Sequence, residues 1–233
     1  MSVDKQELVD NIKNYYENAG RDENSRYKSW EHCYKCFYDI IKNGKRIESD
    51  ILALNLAFYL ASWGMYRGSS FLLQQDYKIH IRAIDIILDK KYGVLFGINC
   101  DDLNSENISL MLQLKESLNE HYNKIKKKVI DLGLIKESKN DITDTLISKI
   151  LLGTFGCIPA YDRYFKNSAK QLNIEQTFTK KSINGLCRLY EKHKIDLETI
   201  RNNIQIGNIK YPQMKIIDMA FFQMGLEYSK KSK

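Results

Sequence analysis

The residues best suited to chemistry lie between Thr145 and Phe165. There an apolar helical run ends in Gly153 and Gly156, and Cys157-Ile158-Pro159-Ala160-Tyr161-Asp162 leads into a second helix. An aspartate in the first turn of a helix sits in the positive field of unpaired backbone N–H groups, which keeps its carboxylate ionised. Asp162 is therefore a candidate catalytic group, with Lys149 and Arg163 beside it as candidate anion or nucleic-acid contacts. The alternative is that Asp162 only caps the helix while Tyr161, Tyr164 and Phe165 pack into the core. A second constellation is Trp63-Gly64-Met65-Tyr66-Arg67-Gly68-Ser69-Ser70. Its glycines permit close backbone approach, and Ser69 or Ser70 at a helix start would leave N–H groups pointing outward. With Arg67 beside them, the turn could hold a phosphate or a carboxylate. No lysine follows in Walker A spacing, so it is not a nucleoside-triphosphate loop. The competing assignment is a tight helix–helix turn with Arg67 paired to an acidic neighbour.

Two further pairs carry weaker signals. Cys33 and Cys36 follow His32 like half a zinc site, but tetrahedral zinc needs four ligands and no second such pair exists. They fit core thiols on one helix face, and neither a metal nor another cofactor is expected. Arg188 and His193 have the Arg-x4-His spacing of HEPN ribonucleases, a family in which the two residues assist attack by a ribose 2′-hydroxyl. On one straight helix these side chains stand about 140° apart, at 100° per residue. Arg188 and His193 are thus an alternative catalytic pair, or else they complement a helix C-terminus.

The Pro159–Asp162 approach resembles that of the helix-hairpin-helix DNA glycosylases. In that family an apolar-proline-apolar segment precedes a catalytic aspartate at a helix start, and an upstream hairpin grips the DNA backbone. The resemblance covers about 20 residues, and it implies that Asp162 stabilises the sugar cation formed as a base departs. Gly153 and Gly156 lie immediately before Asp162, whereas the family's hairpin glycines lie well upstream.

Charge gives these candidates a context. The chain has 233 residues, with 36 Lys and Arg against 29 Asp and Glu, a net of +7. Residues 1–100 carry 14 basic and 13 acidic side chains, and residues 101–233 carry 22 and 16, so +6 of the excess falls in the second part. It concentrates at Lys124, Lys126–Lys128, Lys180, Lys181 and the tail lysines Lys230, Lys231 and Lys233. Such a region can bind DNA or RNA through phosphate contacts, or it can be a solvated helix face. Fifteen tyrosines offer contact area for a protein partner or a homo-oligomer. The polar N-terminus lacks a signal-peptide layout, and the most apolar stretch, Ile51–Tyr66, is shorter than a bilayer span. Five scattered cysteines are expected as reduced thiols. These features point to a cytoplasmic protein with no membrane partner, and the wealth of Lys, Ile and Asn to an AT-rich bacterial genome.

The elements that position these groups are helical. Only 12 Gly and 2 Pro argue against an all-β chain, and apolar residues recur at spacings of three and four. The pattern predicts a compact all-α domain of roughly nine or ten helices. Expected spans are Asp4–Asn18, Arg26–Asn43 with Gly44 as C-cap, and Asp50–Tyr66 capped by Ser49. Ile79–Lys90 and Ser105–Leu132 follow, then a helix capped by Asp141 or Thr143 and running to Leu152. Further helices begin at Pro159, at Thr179 and at Pro212. The irregular segment 93–104 is the place where lobes 1–92 and 105–233 would join.

Overall fold

The computed structural model describes residues 5–136 and 142–231. Among them are ten α-helices: α1 Lys5–Gly20, α2 Lys28–Ile41, α3 Ser49–Ser62, α4 Ile81–Ile87, α5 Ser105–Asp131, α6 Asp144–Thr154, α7 Arg163–Gln171, α8 Lys180–Lys192, α9 Lys194–Arg201 and α10 Gln213–Lys231. Single 3-10 turns fill much of the region between α3 and α5. The fold is all-α, with one minimal hairpin in which β1 (Gln205–Ile206) pairs antiparallel with β2 (Ile209–Lys210).

Local chemistry explains most boundaries. On α5, Leu114, Leu118, Tyr122 and Val129 form a buried stripe, and the Asn104 side chain caps the helix by accepting from the Asn107 amide at 2.9 Å. Thr179 and Ser182 make a reciprocal capping box at the start of α8. Gly44 ends α2 in the left-handed region at φ 63°, where its amide donates to the Ile40 carbonyl. Ser49, expected as a cap, is instead the first residue of α3, and Glu48 holds the cap position without a side-chain bond. Thr143 occupies the cap position of α6, also without a side-chain bond. Asp4, Asp141 and Lys233 lie outside the described residues.

Pro212 immediately precedes α10, as expected, but Pro159 does not open a helix. Residues 157–161 instead run non-helically through the core, and α7 begins only at Arg163. A buried segment of this kind needs polar partners for its amides. The Ala160 N–H donates to Asp218 Oδ1 at 3.0 Å and the Tyr161 N–H to Ser148 Oγ at 2.8 Å.

A single hydrophobic cluster draws on both parts of the chain. Helix α10 packs on α1 and α7, while α2 packs on α3 and α6. Phe96, Ile98 and Leu103 of the segment 93–104 are buried in that cluster. Gln213 ties the segment down by accepting from the Cys100 amide at 2.7 Å while donating to Glu198 at 2.7 Å. Cys33 is buried and Cys36 half-buried on α2, and burial raises the pKa of both thiols. Eight of the fifteen tyrosines are buried in the core, and Tyr16, Tyr27, Tyr38, Tyr66, Tyr77, Tyr164 and Tyr228 are half-buried. Among the described residues no helix is long and apolar enough to cross a membrane.

Candidate functional site

Four of the residues singled out by sequence, Arg67, Lys149, Asp162 and Arg163, line one cleft of about 560 Å³. Arg26, Trp63, Tyr164 and Phe222 complete its walls. The cleft forms where the turn before α2, the end of α3, α6, the start of α7 and α10 meet.

Each side chain is placed by its local backbone. Helix α3 is terminated two residues past Ser62 by Gly64, whose φ of 75° is a left-handed conformation that glycine adopts without strain. The Met65 amide reaches back to the Leu60 carbonyl at 2.9 Å and closes the terminal turn. The Trp63 carbonyl accepts the Lys149 ammonium at 2.9 Å. Arg67 folds back over Gly64, because a Cβ there would stand 3.0 Å from the guanidinium carbon. Close glycine contacts bring the helices together around this point. A Cβ at Gly153 on α6 would press on the Tyr59 ring of α3, and one at Gly225 on α10 would collide with the Tyr164 carbonyl of α7.

Asp162 is the N-cap of α7, and its Oδ1 accepts from the Tyr164 and Phe165 amides at 3.0 and 3.1 Å. Its Oδ2 lies 3.7 Å from Lys149 Nζ in an ion pair that is largely buried. The helix-start amides favour the ionised form of Asp162, but they do not act alone. Burial raises its pKa, and Lys149 and the two amides offset this only in part. Burial likewise lowers the pKa of Lys149, with Asp162 and Asp218 opposing and Arg67 adding to the shift. A second ion pair lies beneath the first. Lys215 Nζ donates to Asp218 Oδ2 at 2.8 Å and to the Tyr15 hydroxyl at 3.0 Å. Burial alone would lower the pKa of Lys215, but Asp218 and Tyr15 more than compensate and raise it. A small void of about 10 Å³ between the pairs is lined by Tyr59, Trp63, Lys149, Asp162, Lys215 and Asp218, among others.

The rim differs in character from this paired floor. Arg26 lies over the Trp63 ring at 5.2 Å, and Arg163 over the Tyr164 ring at 4.8 Å with a 2.9 Å bond to its hydroxyl. Arg26, Arg67 and Arg163 are exposed, and none forms an ion pair with a described carboxylate. Trp63, Tyr27 and Phe222 pack edge to face, with Tyr164 against Phe222 at 5.1 Å. The Trp63 indole N–H is buried without an acceptor among the described residues.

Other expected residues lie elsewhere. Ser69 and Ser70 line a separate, more apolar cleft with Phe71 and Leu146. Ser70 only caps a single 3-10 turn, accepting from the Leu72 amide at 3.3 Å. Arg188 is exposed on α8, whereas His193 is buried where α8 meets α9. Lys124, Lys127 and Lys128 are exposed on α5 and do not line the arginine cleft. Comparison with protein-family models, curated proteins and solved structures finds no match to this chain. Among the described residues no group of three or more His, Cys, Asp and Glu is arranged to hold a metal ion.

Sequence reading missed Arg26, Tyr164, Phe222, Lys215 and Asp218. The Lys215–Asp218 spacing within an otherwise apolar helix was a usable signal, since opposite charges three apart on a helix meet. Arg26 sat in a polar turn that carried none.

Proposed function

We propose that the arginine-rimmed cleft binds nucleic acid, taking phosphate oxygens on Arg26, Arg67 and Arg163 and a base against Trp63, Tyr164 and Phe222. The observation that carries this reading is the convergence of three guanidinium groups, without carboxylate partners among the described residues, on one aromatic-walled cleft. Guanidinium groups match phosphate oxygens in planar, paired hydrogen bonds, and aromatic faces stack bases regardless of sequence. Asp162 lines the same cleft, and on the glycosylase resemblance it would act on the sugar of the bound strand. If Asp162→Asn leaves an observed base excision unchanged, that catalytic role is removed and the binding role stays.

The test is fluorescence anisotropy with single-stranded DNA, duplex DNA and RNA across a salt series. Affinity should fall linearly on a log–log plot, and each arginine replaced by alanine should reduce the slope by about one phosphate contact. Absence of binding at low salt, or an unchanged slope in the triple alanine variant, overturns the reading. A second reading, a protein-contact module, has one observation in its favour. Ile51, Leu54 and Phe58 on α3 are about half exposed, at 47%, 51% and 58%, and they recur at helical spacing along its outer side.

A further inference from the structure

We infer that the cleft is built for a terminal phosphate monoester of a nucleotide, at the 5′ or 3′ end of a strand, rather than for internal phosphodiesters. This rests on the nucleic-acid reading above and narrows it. An internal phosphodiester carries one negative charge, and a protein that follows a strand spreads its cations along a groove. Here the cations converge instead. Arg26, Arg67 and Arg163 come from three separate parts of the chain and line a single cleft of about 560 Å³. That volume lies within the range of a pocket for one small ligand, and so suits one nucleotide unit rather than several.

The charge count points the same way. Lys149 and Asp162 pair at 3.7 Å and offset one another, as do Lys215 and Asp218 at 2.8 Å. The three rim arginines are then left as net positive charge, which over-matches a monoanionic diester. A terminal monoester carries close to two negative charges at neutral pH and offers three acceptor oxygens, one for each guanidinium. The arginines are also braced for this geometry. Arg26 rests on Trp63, Arg67 on the bare Cα of Gly64, and Arg163 on Tyr164, whose hydroxyl it donates to. Bracing reduces the side-chain entropy lost on binding. Trp63, Tyr164 and Phe222 stand in the same cleft, within reach of the base of that terminal nucleotide.

The experiment compares fluorescent single strands of one sequence with a 5′-phosphate, a 3′-phosphate, hydroxyls at both ends, or a 5′-phosphate capped by a methyl ester. The methyl ester keeps the phosphorus but has the charge of a diester. A strand with the preferred terminal phosphate should bind about tenfold or more tightly than the hydroxyl strand, the scale of one charge-assisted hydrogen bond. The methyl cap should remove most of a 5′ preference. Arg67→Ala and Arg163→Ala, both at exposed positions, should remove the preference while weakening the hydroxyl strand less. Equal affinity for all four strands, with every one weakened by the arginine substitutions, overturns the terminal-phosphate inference and leaves the nucleic-acid reading intact. Failure of every strand to bind overturns both.

Discussion

His80 is fully buried between two tyrosine hydroxyls, with Tyr66 2.7 Å from its Nε2 and Tyr122 2.6 Å from its Nδ1. Burial lowers its pKa to about 3, with a smaller contribution from His121. The ring is therefore neutral at pH 7 and offers one donor and one acceptor. The buried Tyr122 hydroxyl has no other partner among the described residues, so it donates to Nδ1 and the Nε2–H donates to Tyr66. The consequence for stability has a definite sign. The unfolded chain takes up this proton below about pH 6.5 while the folded protein resists it, so the contribution is complete above pH 6.5 and is lost as pH falls towards 3. Two pH units below the unfolded pKa, this amounts to about 2–3 kcal/mol. Urea unfolding should show wild type well ahead of His80→Gln at pH 7, with the gap narrowing by about that amount at pH 4.5. A gap that stays constant would mean that His80 is already charged in the folded state.

Helices α7 and α10 touch more closely than ordinary side chains allow, because Gly225 lies directly against the Tyr164 carbonyl. Gly225→Ala forces the two backbones apart, at a cost of about 1–3 kcal/mol or more, since the obstacle is main chain rather than a flexible side chain. The displacement also moves Tyr164 and its neighbour Arg163, so melting temperature and strand affinity should fall together. A fall in stability with unchanged affinity would show that the cleft tolerates the shift. At this scale much of the fold was readable, and for clear reasons. The stripe on α5, the Gly44 terminus and the Thr179 cap follow from local chemistry that needs no tertiary partner. The start of α7 was not readable, because the path of residues 157–161 depends on Ser148 and Asp218, which are distant in sequence. Helix α9 is short and leaves Ile195 83% exposed, so its apolar pattern was too faint to mark it. The hairpin has a recognisable Gly207-Asn208 turn between Ile206 and Ile209, but two residues per strand give no alternation to detect. Within the cleft, Lys149, Asp162 and Arg163 stood out through their sequence proximity. Trp63 belonged to a turn already singled out, while Phe222 looked like any other core residue of α10.

For the molecule as a whole, one continuous core leaves α3 in an unusual position. Leu52, Leu56, Tyr59 and Leu60 face inward, yet Ile51, Leu54 and Phe58 remain on the outside, making this helix apolar nearly all round. Self-association that rises with concentration is the expected outcome, and Leu54→Glu combined with Phe58→Glu should abolish it without lowering the melting temperature. Light scattering coupled to size exclusion checks this, and a wild-type protein that stays monomeric at every concentration counts against the stripe as a self-contact. The pairing of α1 with α10 has a consequence of another kind. Tyr15 meets Phe222 at 5.8 Å and Lys215 at 3.0 Å, so one of the first helices made closes on the most distal one described. On the ribosome, Tyr15 emerges some two hundred residues before Lys215 and Phe222 exist. Phe222 and Asp218 arrive together with α10, so no nascent chain that stops before Gln213 contains the finished cleft. The cleft therefore takes shape only once α10 has been made and has docked on α1 and α7.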